Sequence, residues 1–157
     1  MWLRRIVSGG QTGADRAALD AALACGIEIG GWVPRGRLAE DGAIPPRYAA
    51  LREAESADPA LRTVRNVRDS DATLVVSRGP LAGGSRLTLD EAIRLGRPVL
   101  HVDLARESSE RATRRVRDWL AAVDPAVLNV AGPRASEDPG IAERVSSLLL
   151  AALASDR

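Results

Sequence analysis

The stretch that most constrains this chain is Arg4-Arg5-Ile6-Val7-Ser8-Gly9-Gly10-Gln11-Thr12-Gly13-Ala14-Asp15-Arg16. A short apolar run, Ile6-Val7, ends in a glycine-rich turn, and an alanine-rich helical pattern begins at once. That is strand, tight loop, helix. Such a loop aims backbone N–H groups at whatever sits above the strand, and the helix N-terminus adds a partial positive charge there. Together they predict an anion site, most often for phosphate. The plain alternative is a tight turn with no ligand. The spacing Ser8-x-Gly10-x-x-Gly13 lacks the first glycine of the dinucleotide fingerprint. The second strand, expected over 27–33, ends in Trp32-Val33-Pro34-Arg35, and its only acid, Glu28, is at the wrong end for a ribose hydroxyl. NAD binding of the usual kind is therefore discounted.

Composition removes several other classes. The 157 residues suit one domain, 1–157, with a real core. A net charge of +1 gives no electrostatic case for nucleic acid or an anionic membrane. No apolar run approaches the roughly 20 residues of a membrane span, and no signal-peptide pattern is evident. A single cysteine, Cys25, makes no internal disulfide, and a cytoplasmic location is expected. All 22 basic residues are arginine, which excludes a Walker A lysine, a Schiff base and pyridoxal phosphate chemistry. With one histidine, His101, a zinc site of the usual Cys/His composition is not expected. Phenylalanine is absent, so the core must be Ala, Leu, Val and Ile.

Along the chain, residues 14–25 predict a helix closed by Gly26, with Ala14, Ala18, Ala21 and Cys25 on its buried face. Arg16 either pairs with Asp20 at i, i+4 or turns back toward the loop and a bound anion. The 34–48 segment is too long and too rich in Gly and Pro for a simple connector. Its mixed charges and its anchors Leu38 and Ile44 predict an ordered lid or subunit contact. A helical piece is expected over 48–56, a third strand over 61–64 and a turn or single helical turn over 66–70. Residues 72–77 are nearly continuously apolar, the mark of a strand buried on both faces. After the loop 78–85 comes a helix to Leu95, a strand over 98–104 and an amphipathic helix over 108–123. A last strand over 127–130 and a closing helix over 141–153 complete the chain.

This alternation predicts an α/β fold: a Rossmann-like three-layer sandwich with a mostly parallel central sheet and helices on both faces. The expected strand order is 3-2-1-4-5-6. Strands one and four are then neighbours whose helices go to opposite faces. The two glycine loops, Gly9 to Gly13 and Gly83 to Ser85, would meet in the crevice between them. One glycine turn is common; two at a switch point are not.

Ser8-Gly9-Gly10-Gln11-Thr12-Gly13-Ala14-Asp15-Arg16-Ala17-Ala18-Leu19-Asp20 resembles the opening motif of the molybdenum cofactor carrier family. The resemblance continues through Gly30-Gly31-Trp32-Val33-Pro34, through 37–45 and 62–71, and through Gly83-Gly84-Ser85 and 128–134. At Ser85 the family pattern has Thr, and the hydroxyl survives. The resemblance implies a Rossmann-like homo-oligomer, a dimer or tetramer, that binds the molybdenum cofactor, shields it and passes it to molybdoenzymes. The ligand is an anionic pterin dithiolene with a phosphate tail, which suits the anion crevice. Residues expected to hold it are Ser8, Gly9, Gly10, Gln11, Thr12, Gly13, Arg16, Trp32, Arg78, Gly83, Gly84, Ser85 and Arg134. No metal ligand is expected from the protein.

Wider relatives include the lonely-guy type phosphoribohydrolases, with the motif Gly-Gly-x-Gly-Thr-x-x-Glu. Laid on this chain it reads Gly83, Gly84, Arg86, Leu87 and Asp90, so the third Gly and the Thr are missing and Asp replaces Glu. A nucleotide monophosphate phosphoribohydrolase using Asp90 is the alternative, and a nucleotide-sensing module a third. Trp32 either stacks on a pterin or purine or caps the sheet edge. Arg78 and Arg134, on exit loops, either clamp phosphate or pair with local carboxylates. Arg134, after the last strand, would need oligomer contacts or a folded-over loop to reach the crevice. His101 reads as a packed, hydrogen-bonded histidine, and neither Ser8 nor Ser85 has an identifiable base.

Overall fold

The protein is described by a computed structural model over residues 3–154; Trp2, expected at the start of the first strand, lies outside the described residues. The chain runs β1 (Arg5–Val7), α1 (Ala14–Ala24), β2 (Glu28–Gly30), β3 (Trp32–Val33), β4 (Leu38–Ala39) and β5 (Gly42–Ala43). A 3₁₀ turn at Pro46–Tyr48 precedes β6 (Arg52–Glu53), α2 (Pro59–Arg68), β7 (Ala72–Ser77) and α3 (Gly83–Arg94). The last elements are β8 (Val99–Asp103), α4 (Ser109–Val123), β9 (Val127–Ala131) and α5 (Ile141–Leu153).

Five strands form one parallel sheet in the order β2-β1-β9-β7-β8. Helices cover both of its faces, as the alternation of elements requires. The order 3-2-1-4-5-6 is corrected on two counts. First, the last strand does not lie at an edge but is inserted between β1 and β7. Backbone bonds from Arg4 and Arg5 to Ala126, and from Asp71 to Val127, fix it there. Second, residues 61–64 belong to helix α2 and not to a strand. Asp58 caps that helix, its carboxylate accepting from the Ala60 N–H at 3.0 Å, and Pro59 opens the first turn. Thr63, Asn66 and Val67 are then buried at helical spacing, a pattern longer than the four residues expected as a strand.

The remaining differences are smaller. The run over 27–33 breaks at Gly31, and β3 leaves the main sheet to pair with β6. The helical piece expected over 48–56 is one 3₁₀ turn followed by β6. Cys25 caps the C-terminus of α1 and is exposed, not a core residue. The 34–48 segment is ordered around the hairpin β4–β5. Its anchor is Ile44, buried with Leu19, Val33, Tyr48 and Leu51, while Leu38 stands exposed. Among the described residues no helix is long and apolar enough to cross a membrane.

The two faces of the sheet differ in chemistry. Ile6, Leu74, Val76, Val102, Leu128 and Val130 point to one face, where α1, α4 and α5 close an aliphatic core. The alternating set, Thr73, Val75, Ser77, Asn129 and Ala131, points to the other, where α2 packs on α3. That second layer buries Arg62, Thr63, Asn66, Ser85, Thr88 and Asn129. Polar groups are kept inside only where they are satisfied or used, which sets this face apart from the aliphatic one.

Candidate functional site

A cavity of about 360 Å³ opens on that face, over the carboxyl ends of β1 and β9 and between the N-termini of α2 and α3. Its volume lies in the range of small-ligand sites. The loop after β1 supplies Gly9 and Gln11, α2 supplies Arg62, Thr63 and Asn66, and α3 supplies Gly83, Gly84 and Ser85. Asn129, Gly132, Arg134 and Glu137 arrive from β9 and its exit loop. Arg134 reaches the cavity within one chain because β9 is central, which removes the need for a neighbouring subunit.

Most N–H groups of the first glycine loop are already engaged within the protein. The Gln11 N–H donates to the Asp15 carboxylate at 3.2 Å, and the Gly9 N–H also bonds it. The Gly10 N–H reaches Ser8 Oγ, the Thr12 N–H reaches Gln11 Oε1, and the Ala14 N–H reaches the Pro133 carbonyl. Asp15 is thus a built-in anion for this loop. The N-terminus of α3 is the opposite case. Ala82 occupies its cap with no side-chain bond, and Ser85 Oγ donates away to the Ala82 carbonyl. The N–H groups of Gly83, Gly84 and Ser85 take no partner among the described residues. The helix that shares the crevice with α3 is therefore α2, not α1, and α2 is already capped by Asp58.

Arg62 lies between these features, 8% exposed. Its Nη1 donates to the Gly9 carbonyl at 2.5 Å and its Nε to Thr63 Oγ1 at 3.2 Å. Gly9 admits it: a Cβ there would sit 2.6 Å from Nη1. Burial lowers the Arg62 pKa, and the Asp15 charge opposes that. Burial likewise pushes the Asp15 carboxyl up from 3.8 to about 6, against the pull of Arg62. Arg62, Asp15 and Asn129 were not among the residues singled out from sequence. All three stand inside stretches that carry the family resemblance, and the strand pattern expected over 61–64 hid the helical face that turns Arg62 to the cavity.

Of the expected site residues, Gly9, Gln11, Gly83, Gly84, Ser85 and Arg134 line the cavity. Ser8 is buried beneath the loop and donates to the Asp15 carbonyl. Gly10 faces Ile44, Val33 and Leu51, and Gly13 packs on the Pro133 carbonyl. Thr12 donates to Glu40 and accepts from the Ala135 N–H. Arg16 does not pair with Asp20: its Nε turns back to the Gly10 carbonyl and its other nitrogens clasp Asp41. Arg78 is held by Asp138. Trp32 is not brought to the cavity either. Its Nε1 donates to Asp69, Arg52 and Arg65 lie 4.5 and 4.9 Å from its ring centroid, and its backbone brackets the Asn66 amide. Asp90 stands on the exposed side of α3, paired with Arg86, outside the lining.

One Ser–His pair exists elsewhere. Ser77 Oγ lies 2.8 Å from His101 Nε2, but the hydroxyl donates to the Gly79 carbonyl. It therefore accepts from the imidazole and is not activated as a nucleophile.

The sequence profile of the circularly permutated YpsA SLOG family matches residues 6–153. The chain belongs to that family. A solved structure from Syntrophus aciditrophicus SB, named "Putative molybdenum carrier protein", shares 49% identity with it. The match covers 98% of this chain and 96% of that one, with a TM-score of 0.95. No curated protein matches the chain. The permutation in the SLOG family's description is legible in the sheet. Counting β9 first, then β1, β2, β7 and β8, turns the observed order into 3-2-1-4-5, the doubly wound arrangement. Its switch point falls between β9 and β7, beside the cavity over β1 and β9, which the loop after β9 and the start of α3 both line.

Proposed function

We propose that this SLOG-family chain binds the molybdenum cofactor in the cavity between α2 and α3 and holds it as cargo for molybdoenzymes. The observation that carries the reading is the uncapped N-terminus of α3 opening on a cavity floored by Arg62. Three backbone N–H groups and a helix dipole suit a phosphate tail, and a buried guanidinium adds charge-assisted bonds. Asn129, 2% exposed at the floor, offers an amide to a heterocycle edge. Among the described residues no three of His, Cys, Asp and Glu are gathered to hold a metal; the cargo's dithiolene supplies that coordination. The name of the Syntrophus protein supports the same ligand class.

The hydrolase alternative has no support in the geometry, because Asp90 points away from the cavity and is ion-paired. Wild-type protein is expected to release no free base from nucleoside monophosphates.

Native mass spectrometry of protein purified from a cofactor-producing host tests the reading and reports subunit number at once. Wild type is expected to carry a mass increment matching the cofactor or its oxidised pterin. Gly84→Val, whose added Cβ meets nothing within 4 Å in the protein itself, is expected to lose it. Protein from such a host with no increment would overturn the proposal.

A further inference from the structure

The charge of the cavity does not match a simple anion site. Its lining holds two arginines, Arg62 and Arg134, against three carboxylates, Asp15, Asp58 and Glu137. Arg134 is shared between Glu40 and Glu137 at 3.5 and 3.6 Å. With all of them ionised the lining is net negative, so a phosphate-bearing ligand would be repelled by its own site.

Asp15 is placed to relieve this. Its side chain is buried at the floor beside Arg62, the one lining cation free of any other acid among the described residues. Four groups face it: Arg62 from α2, Arg16 from its own helix α1, and the Gly9 and Gln11 N–H groups of the loop after β1. Arg16 is engaged by Asp41. Helix α3 brings no charged side chain to the lining, and the exit loop of β9 brings Arg134 and Glu137. Asp58, at the head of α2, completes the set.

We propose that anion binding in this cavity is proton-linked, the ligand entering together with a proton that settles on the Asp15 carboxyl. The inference rests on the reading of the cavity as an anion site. Protonation leaves two cations against two anions and removes the negative charge whose field acts on Arg62. The raised pKa of Asp15 puts this protonation within reach of ordinary pH.

Sulfate is the probe, because it remains a dianion from about pH 5 to about pH 8. Calorimetric titration across that range is expected to show wild-type affinity rising about tenfold or more as pH falls. Repeating the titration near neutral pH in buffers of different ionisation enthalpy is expected to show net proton uptake. Asp15→Asn, neutral at every pH, is expected to bind sulfate more tightly near neutrality with a flat profile. His101 is the only histidine and lies outside the lining, so His101→Asn is expected to keep the wild-type slope. Wild type that binds sulfate equally at every pH without proton uptake overturns the linkage and leaves the anion site standing. A slope that disappears in His101→Asn overturns it as well. If neither wild type nor Asp15→Asn binds sulfate at any pH, both the linkage and the anion site fall.

Discussion

Asp15 also has a consequence for stability. Its carboxyl is raised from 3.8 to about 6 by burial, so between those values the folded chain binds more protons than the unfolded one. The stability it contributes is complete below about pH 4 and is lost as pH rises through about 6. Above that, keeping the ion buried costs about 3 kcal/mol. Urea unfolding of wild type and Asp15→Asn should therefore diverge across this window, wild type losing ground as pH rises; parallel curves would refute it. The glycines make a second contrast. Gly84→Val should fold like wild type and lose only anion affinity. In Gly10→Val, φ is +71° and the new Cβ would sit 3.0 Å from Ile44 Cδ1, so the variant should lose about 2 kcal/mol or more in thermal or urea unfolding. At this scale the sequence announced a glycine loop but not which N–H groups remain open, because Asp15 is both part of the motif and the anion that fills it.

At the scale of elements, α2 and the hairpin β4–β5 position the site. Asp58→Ala removes the α2 cap and should cost about 1 kcal/mol, read from the urea midpoint. The hairpin turn, residues 40–41, clasps two loops at once. Glu40 accepts from Thr12 Oγ1 and from the N–H and Oγ of Ser136, and Asp41 holds Arg16. Hydrogen bonds from Ser136 and Thr12 hold the Glu40 carboxyl below the usual range. Glu40→Ala should speed amide exchange at Ala135 and Ser136 while leaving β9 protected; unchanged exchange at both amides would mean the clasp is decorative. Most elements were legible in the sequence because their periodicity is local: α5 runs over the expected 141–153, and α4 begins after its cap Ser108. Residues 61–64 misled because a short stretch with apolar ends, Leu61 and Val64, fits either period. Only the Asp58-Pro59 signal upstream separates them.

For the whole molecule, the strand order was the part sequence could not supply. Nothing in Val127-Leu128-Asn129-Val130 states that its neighbours are residues 5–7 and 72–77; pairing at such separation leaves no local trace. The same fact makes a test. A permutant beginning near Pro125, with 154 joined to 3 by a short flexible linker, retains every element and should unfold as one cooperative transition near the wild-type midpoint. Deleting 125–157 removes the strand between the two halves of the sheet and should abolish that transition in circular dichroism.

Because β9 is central yet late in the chain, synthesis on the ribosome delivers β1 and β7 long before the strand that joins them. Until it emerges, both present bare edges beside apolar faces such as Ile6, Leu74 and Val76, a template for pairing with other nascent chains. The permutant makes its central strand first and should depend less on chaperones, giving a larger soluble fraction at high expression.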